Sequence, residues 1–266
     1  MSGEPEQSQT RTEGQPPSIA DAIALLKEAA GRNPAFSATA GPSGGDLLRR
    51  YERFKEIMGP NYLGVEAWEL LPRVDGKPES IDYPPIPAFL TEKLLNSPDE
   101  FVEGKTIAQT HALIVIPKGM TLLKLKQRVE AAWRKEDGMP FYNFDSWKDE
   151  AFARAEALES RVVLIRRDFL PGSERKTDTE QLFYMTSNPK CQSYETASLL
   201  ELQVMLFLNY LKNQGERLYL KTWGRCEEKW DSGRRSGCGF LDANGVGVDA
   251  DDAFRYSGYG RAVRRK

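Results

Sequence analysis

From Asp231 to Arg265 the chain contains no lysine, glutamate, glutamine, methionine or tryptophan. Residues 1–230 hold 59 residues of these five types, a density that would put about nine in a window of this length. A glycine-rich β segment is naturally poor in long charged side chains, which explains part of the gap. It does not explain all of it, because the same window keeps six arginines together with Phe240, Phe254, Tyr256 and Tyr259. What survives is an alphabet of Asp, Ser, Gly, Arg, Cys, Phe, Leu, Ala, Asn, Val and Tyr.

Other absences narrow the function classes. His111 is the single histidine and opens an apolar run, so it reads as a packed residue, and no Ser/His/Asp triad forms around it. Three cysteines, Cys191, Cys226 and Cys238, do not make a disulfide framework. Cys226 and Cys238 read as two small packing residues, with a thiol or metal pair across a hairpin as the alternative. No CxxC, P-loop or HExxH occurs, and Gly237-x-Gly239 does not sit between a strand and a long helix as a dinucleotide fingerprint must. No apolar run reaches membrane-span length, the first residues lack the hydrophobic region of a signal peptide, and the net charge of −2 gives no general affinity for nucleic acid. A cytoplasmic protein with no cofactor, no membrane span and no nucleic-acid partner is expected. The acidic stretch 242–252 fails the EF-type calcium pattern, because Gly245 follows Asn244 directly and no glutamate closes the loop. It reads as a solvated turn, with a looser calcium site as the alternative.

What is present divides the chain into a polar leader and a folded body. Residues 1–17 are too polar to bury and are expected to be disordered. Ser18 is placed to cap a short helix through Ile19, Ala22, Ile23, Leu25 and Leu26, and residues 38–45 have linker composition. Helical spacing of Leu47, Leu48, Tyr51, Phe54 and Ile57 then predicts a helix from Asp46 to a stop at Gly59. Short helices are predicted at 65–71 and 91–97, a doubly buried strand at 111–118, an amphipathic helix at 121–135 and a further short helix after the aromatic loop 141–147. A second buried strand is predicted at 161–170, then loop through 171–194. The most hydrophobic helix follows at 196–215, ending at Gly215. Asn244-Gly245 marks a hairpin turn, and 258–266 reads as a terminal strand.

The tail resembles the variable region of target proteins of diversity-generating retroelements. The resemblance rests on Thr222, Trp223 and Arg225, on Ser232–Arg235, on Gly239 and Phe240, on Asn244, Gly245, Val246 and Val248, and on Gly260, Ala262, Arg265 and Lys266. Upstream, 84–90, 112–127, 141–153 and 194–221 are similar to the same group, so the likeness covers about 84–266. It implies an α+β, C-type-lectin-like fold of the formylglycine-generating-enzyme type, with variable side chains on a ligand-binding face. It also implies a cause for the missing residues. Randomising the adenines of asparagine codons reaches every residue type found at 231–265, and cannot reach Lys, Glu, Gln, Met or Trp.

The expected organisation is a disordered leader at 1–44 with one short helix, a helical segment at 45–83, and a C-type-lectin-like domain at 84–266 with a glycine-rich β lobe. The variable region falls at about 223–262. The expected activity is binding of an unidentified macromolecule, a protein, with no catalysis. An enzyme using Cys226 and Cys238, or a structural module without a diversified site, are the alternatives. Ser236, Cys238, Phe240, Asp242, Asp249, Asp251, Asp252, Phe254, Ser257 and Tyr259 are expected to cluster on one solvent-facing surface. Gly233, Gly239, Gly245, Val248, Gly260 and Ala262 are expected to be scaffold. Replacing both Cys226 and Cys238 by serine is expected to leave folding nearly intact.

Overall fold

In a computed structural model, the structure describes residues 44–73, 81–220, 222–240, 245–251 and 259–266. The predicted leader helix and linker lie outside them. Gly45–Lys266 forms a single unit of mixed α and β structure with two mixed sheets. No helix among the described residues is long and apolar enough to cross a membrane.

The first sheet has strand order β1-β2-β3-β9-β4, built from Tyr62–Leu63, His111–Ile116, Arg161–Arg166, Val263–Arg265 and Tyr194–Thr196. β2 and β3 pair antiparallel along their whole length, from His111 opposite Arg166 to Ile116 opposite Arg161. Both read as continuous apolar runs because both faces of the sheet are covered. Leu113, Val162 and Leu164 pack on Tyr51, Phe54 and Met58 of helix α1 (Gly44–Met58). Ala112, Ile114, Val163 and Ile165 point the other way, into the main core. Tyr51, Phe54, Met58 and Tyr62, from the predicted helical segment, therefore share a core with the sheet.

Among the described residues, five α-helices follow α1 before β3: α2 (Glu92–Leu95), α3 (Ile107–Thr110), α4 (Leu122–Ala132), α5 (Phe144–Trp147) and α6 (Ala151–Arg154). Next come α7 (Asp178–Ser187) and α8 (Leu199–Lys212). α8 starts at a capping box in which Ser198 and Glu201 satisfy each other's backbone N–H groups. Every residue from Leu199 to Tyr210 is buried. A helix apolar on all sides must be covered on all sides, and α8 runs between the first sheet and a second one, touching β2, β3, β5 and β6.

The second sheet has order β7-β6-β5-β8, from Val246–Asp251, Arg235–Phe240, Trp223–Lys229 and Tyr259–Arg261. β6 and β7 form the hairpin marked by Asn244-Gly245, in register from Arg235 opposite Asp251 to Phe240 opposite Val246. Gly245 sits at φ 84°, and a Cβ there would lie 2.1 Å from the Met139 carbonyl oxygen. β7 is an edge strand, yet half of its free edge is closed. Val246 bonds the backbone of Pro140 and Tyr142, and the Asn143 side-chain amide engages both the N–H and the C=O of Val248.

Two sequence expectations need correction. The stretch 171–194 is not loop throughout: it contains α7, whose capping box joins Thr177 to Glu180, and β4. The terminal strand is two strands in different sheets. Ala262 is the crossing point: its N–H donates to the Arg225 carbonyl and its C=O accepts from Ala197 N–H. The site is fully buried, and a Cβ on neighbouring Gly224 would lie 2.9 Å from the Ala262 methyl, so only small residues fit.

Candidate ligand-binding face

The second sheet alternates by strand parity. Gly224, Cys226, Ser236, Cys238, Val246 and Val248 are buried, and Cys226, Cys238, Val246 and Val248 belong to the main core with α8. The opposite face carries Trp223, Arg225, Glu227, Arg235, Asp249, Tyr259 and Arg261. Gly237 lies among them, with its missing Cβ 3.2 Å from the Tyr259 ring.

This parity separates the sequence-predicted site residues. Asp249 is exposed and Tyr259 half-buried, both on the outer face. Ser236 and Cys238 are fully buried, contrary to the expectation that they face solvent. The reason is register: Cys238 pairs with Val248, and paired residues share a face. Ser236 Oγ is satisfied internally by the Glu228 carbonyl at 3.0 Å. Phe240 and Asp251 lie on strands, paired with Val246 and Arg235. Asp242, Asp252, Phe254 and Ser257 lie outside the described residues. The scaffold set is placed as expected. Val248 and Ala262 are fully buried, Gly233 has φ 81°, and a Cβ on Gly239 or Gly260 would lie 2.1 Å from the Thr222 carbonyl or 2.4 Å from the Phe169 ring.

The predicted site included Tyr259 but left out Trp223, Arg225, Arg235 and Arg261, which shape the outer face around it. The Trp223 and Tyr259 rings stack with centroids 5.7 Å apart and planes 9° apart, and the Arg225 guanidinium lies 5.4 Å from the Tyr259 centroid. Arg225 and Arg261 are neighbours in the parallel β5–β8 register, and both are fully buried by the strap that leads into α7. Arg225 donates to the Lys176 carbonyl at 2.6 Å, while Arg261 donates to the Asp178 carbonyl at 3.1 Å and to Asp178 Oδ1. Arg235 reaches the other carboxylate oxygen at 3.3 Å. Burial opposes ionisation of Asp178, but Arg261 and Arg235 outweigh it and hold the carboxyl below its usual range. Burial and the adjacent Arg261 charge push the Arg225 guanidinium down to about 10. The six arginines of the tail were the available signal. The convergence of two of them, Arg235 and Arg261, on Asp178 depends on α7, which was read as loop.

Burial pushes both Cys226 and Cys238 thiols far up, away from the thiolate a nucleophile or metal ligand needs. Among the described residues, no group of three or more His, Cys, Asp and Glu side chains converges on a metal position. His111 is fully buried, its Nδ1 2.9 Å from Thr110 Oγ1 and its Nε2 3.2 Å from the Tyr194 hydroxyl. Burial and the charges of Arg166 and Arg265 keep it neutral. It is a packed residue in a polar network, as its position at the head of an apolar strand suggested.

Comparison with protein-family models, with curated proteins and with solved structures returns no match.

Proposed function

We propose that the protein is a display protein, which binds a macromolecular ligand through the outer face of its second sheet, and that the 231–265 segment is diversified by a retroelement. The observation that carries this reading is the alphabet of that segment, which matches the set reachable from randomised asparagine codons. The packing supports it. Inner positions are occupied by small and apolar side chains fixed against α8, whereas outer positions are free to change without touching that core. Half-buried Tyr259 and Arg235, next to a rigid backbone, are of the types that dominate interface hot spots. The fold this reading implies is C-type-lectin-like, with the terminal strand beside the central pair of the first sheet, and the expected ligand is a protein.

The thiol-enzyme alternative loses its main support, because both cysteines are sealed in the core. The display reading is tested in the flanking DNA: a reverse transcriptase gene and a near-copy of the 3′ coding end, differing at adenines, are expected. A locus with neither removes the diversification. Partner binding is tested separately, by capture on the intact protein and on a variant with Asp249 and Glu227 both changed to alanine.

A further inference from the structure

Asp178 is the point where two of the tail's arginines, Arg235 and Arg261, meet. Its two carboxylate oxygens are both in use, one by Arg261 and one by Arg235. Arg261 is nevertheless unfinished: it is fully buried, and its Nε and Nη1 have no hydrogen-bond partner. A buried donor without a partner costs free energy, and a buried guanidinium more than a neutral group. The Asp178 carboxylate accepts from Arg261 Nη2 and from Nε and Nη2 of Arg235, and it does not reach Arg261 Nε or Nη1. Asp178 itself is the accessible part of the cluster, with its side chain 25% exposed where that of Arg261 is fully buried.

We propose that the Arg235–Arg261 pair is a seat for a tetrahedral oxyanion, the phosphate or sulfate ester group of a ligand, and that Asp178 is its internal placeholder. A group with three free oxygens can accept from the Arg235 fork and from Arg261 Nη2 as Asp178 does, and can offer a third oxygen toward Arg261 Nη1. Arg225, alongside in the same register, adds positive charge behind the seat. The stacked Trp223 and Tyr259 rings form an apolar wall for whatever carries the ester. Assigning the bound group to a macromolecular partner rests on the display reading; the seat itself does not.

The test is a melting-temperature titration of the full chain with inorganic phosphate, inorganic sulfate and acetate, against chloride at equal ionic strength. Phosphate and sulfate are expected to give a saturable rise and acetate little. Which of the two tetrahedral ions binds tighter distinguishes a phosphate from a sulfate source. Both ions also stabilise proteins generally by exclusion from the surface, and Arg235→Gln subtracts that contribution. The variant is expected to weaken apparent phosphate affinity about tenfold, the loss of one charge-assisted contact. Asp178→Asn is expected to lower stability in chloride while tightening phosphate binding several-fold. If Arg235→Gln does not fold, Arg235→Lys, which keeps the charge and loses the fork, takes its place. The Arg261 Nε–H resonance is expected to shift on saturation with phosphate. Identical responses in wild type and Arg235 variant, an unmoved Arg261 resonance, or acetate binding as well as phosphate would each overturn the seat. Failure of the seat with partner capture intact leaves the display reading standing, and phosphate binding without a partner leaves only the seat.

Discussion

The two faces of the second sheet answer to different demands. The inner face has almost no freedom: Cys226, Cys238, Val246 and Val248 are fully buried against α8, and the glycines beside them leave no room for a Cβ. The outer face holds Trp223, Glu227, Arg235, Asp249 and Tyr259, whose contacts are with one another and with the α7 strap. One strand therefore carries both a fixed and an exchangeable code, interleaved at every second residue. Variation confined to one parity leaves the other undisturbed.

The sharpest way to break this contrast is at the hairpin. Gly245→Ala puts a Cβ against the Met139 and Pro140 carbonyls at a φ of 84°, and a loss of roughly 3 kcal/mol or more is expected in denaturant unfolding. Cys226→Ser with Cys238→Ser comes next. Both thiols are fully buried, so each serine hydroxyl must find a partner in an apolar core, and a cost of about 1–3 kcal/mol per site is expected. This reverses the expectation of near-neutral replacement, and a melting curve unchanged by the double variant would restore it.

A smaller effect is expected at the seam between β5 and α8. Glu228 accepts from the Leu199 N–H at 2.7 Å at the helix start, and burial pushes its carboxyl up to about 7 from an ordinary 4.5. The folded protein thus keeps a proton that the unfolded chain releases. Its contribution to stability is full below pH 4.5 and is lost as pH rises toward 7. Glu228→Gln should flatten the stability profile across that window; a slope equal to wild type would show that the carboxyl titrates normally. The smallest effects belong to the outer face: Asp249→Ala and Glu227→Ala should each move stability by less than about 0.5 kcal/mol. Losses there as large as at Cys238 would erase the distinction between the faces.

Much of the fold was legible because local signals agreed. A long apolar run ending at Gly215 announced α8, though its start was read at 196 where the Ser198–Glu201 capping box begins it at Leu199; Asn244-Gly245 announced the hairpin, and unbroken apolar runs announced β2 and β3. What escaped was long-range. α7 has a capping box at Thr177 and Glu180 but no strong apolar stripe, since only Gln181 and Met185 are buried, so it blended into loop. The crossing at Ala262 is set by two partners from different sheets, which no local pattern encodes. The same limit explains Ser236 and Cys238. Val248 was read as scaffold, but carrying that parity back to 236 and 238 requires the number of residues in the turn, and register alone supplies it. The alphabet of the segment is a property of composition; it does not say which way each residue points.

Asn143 gives the hairpin a property that side-chain packing cannot. Its amide imitates one peptide unit of a missing neighbour strand and pins Val248 through main-chain atoms alone. Alignment of β7 is thereby written into a residue outside 231–265, independent of what stands at 247 or 249. In a library made by randomising β7 the consequence would be one of yield: the share that reaches a common backbone would be set at position 143. It follows that Asn143→Ala would be felt most in a mixed library, as a fall in the fraction of members that fold.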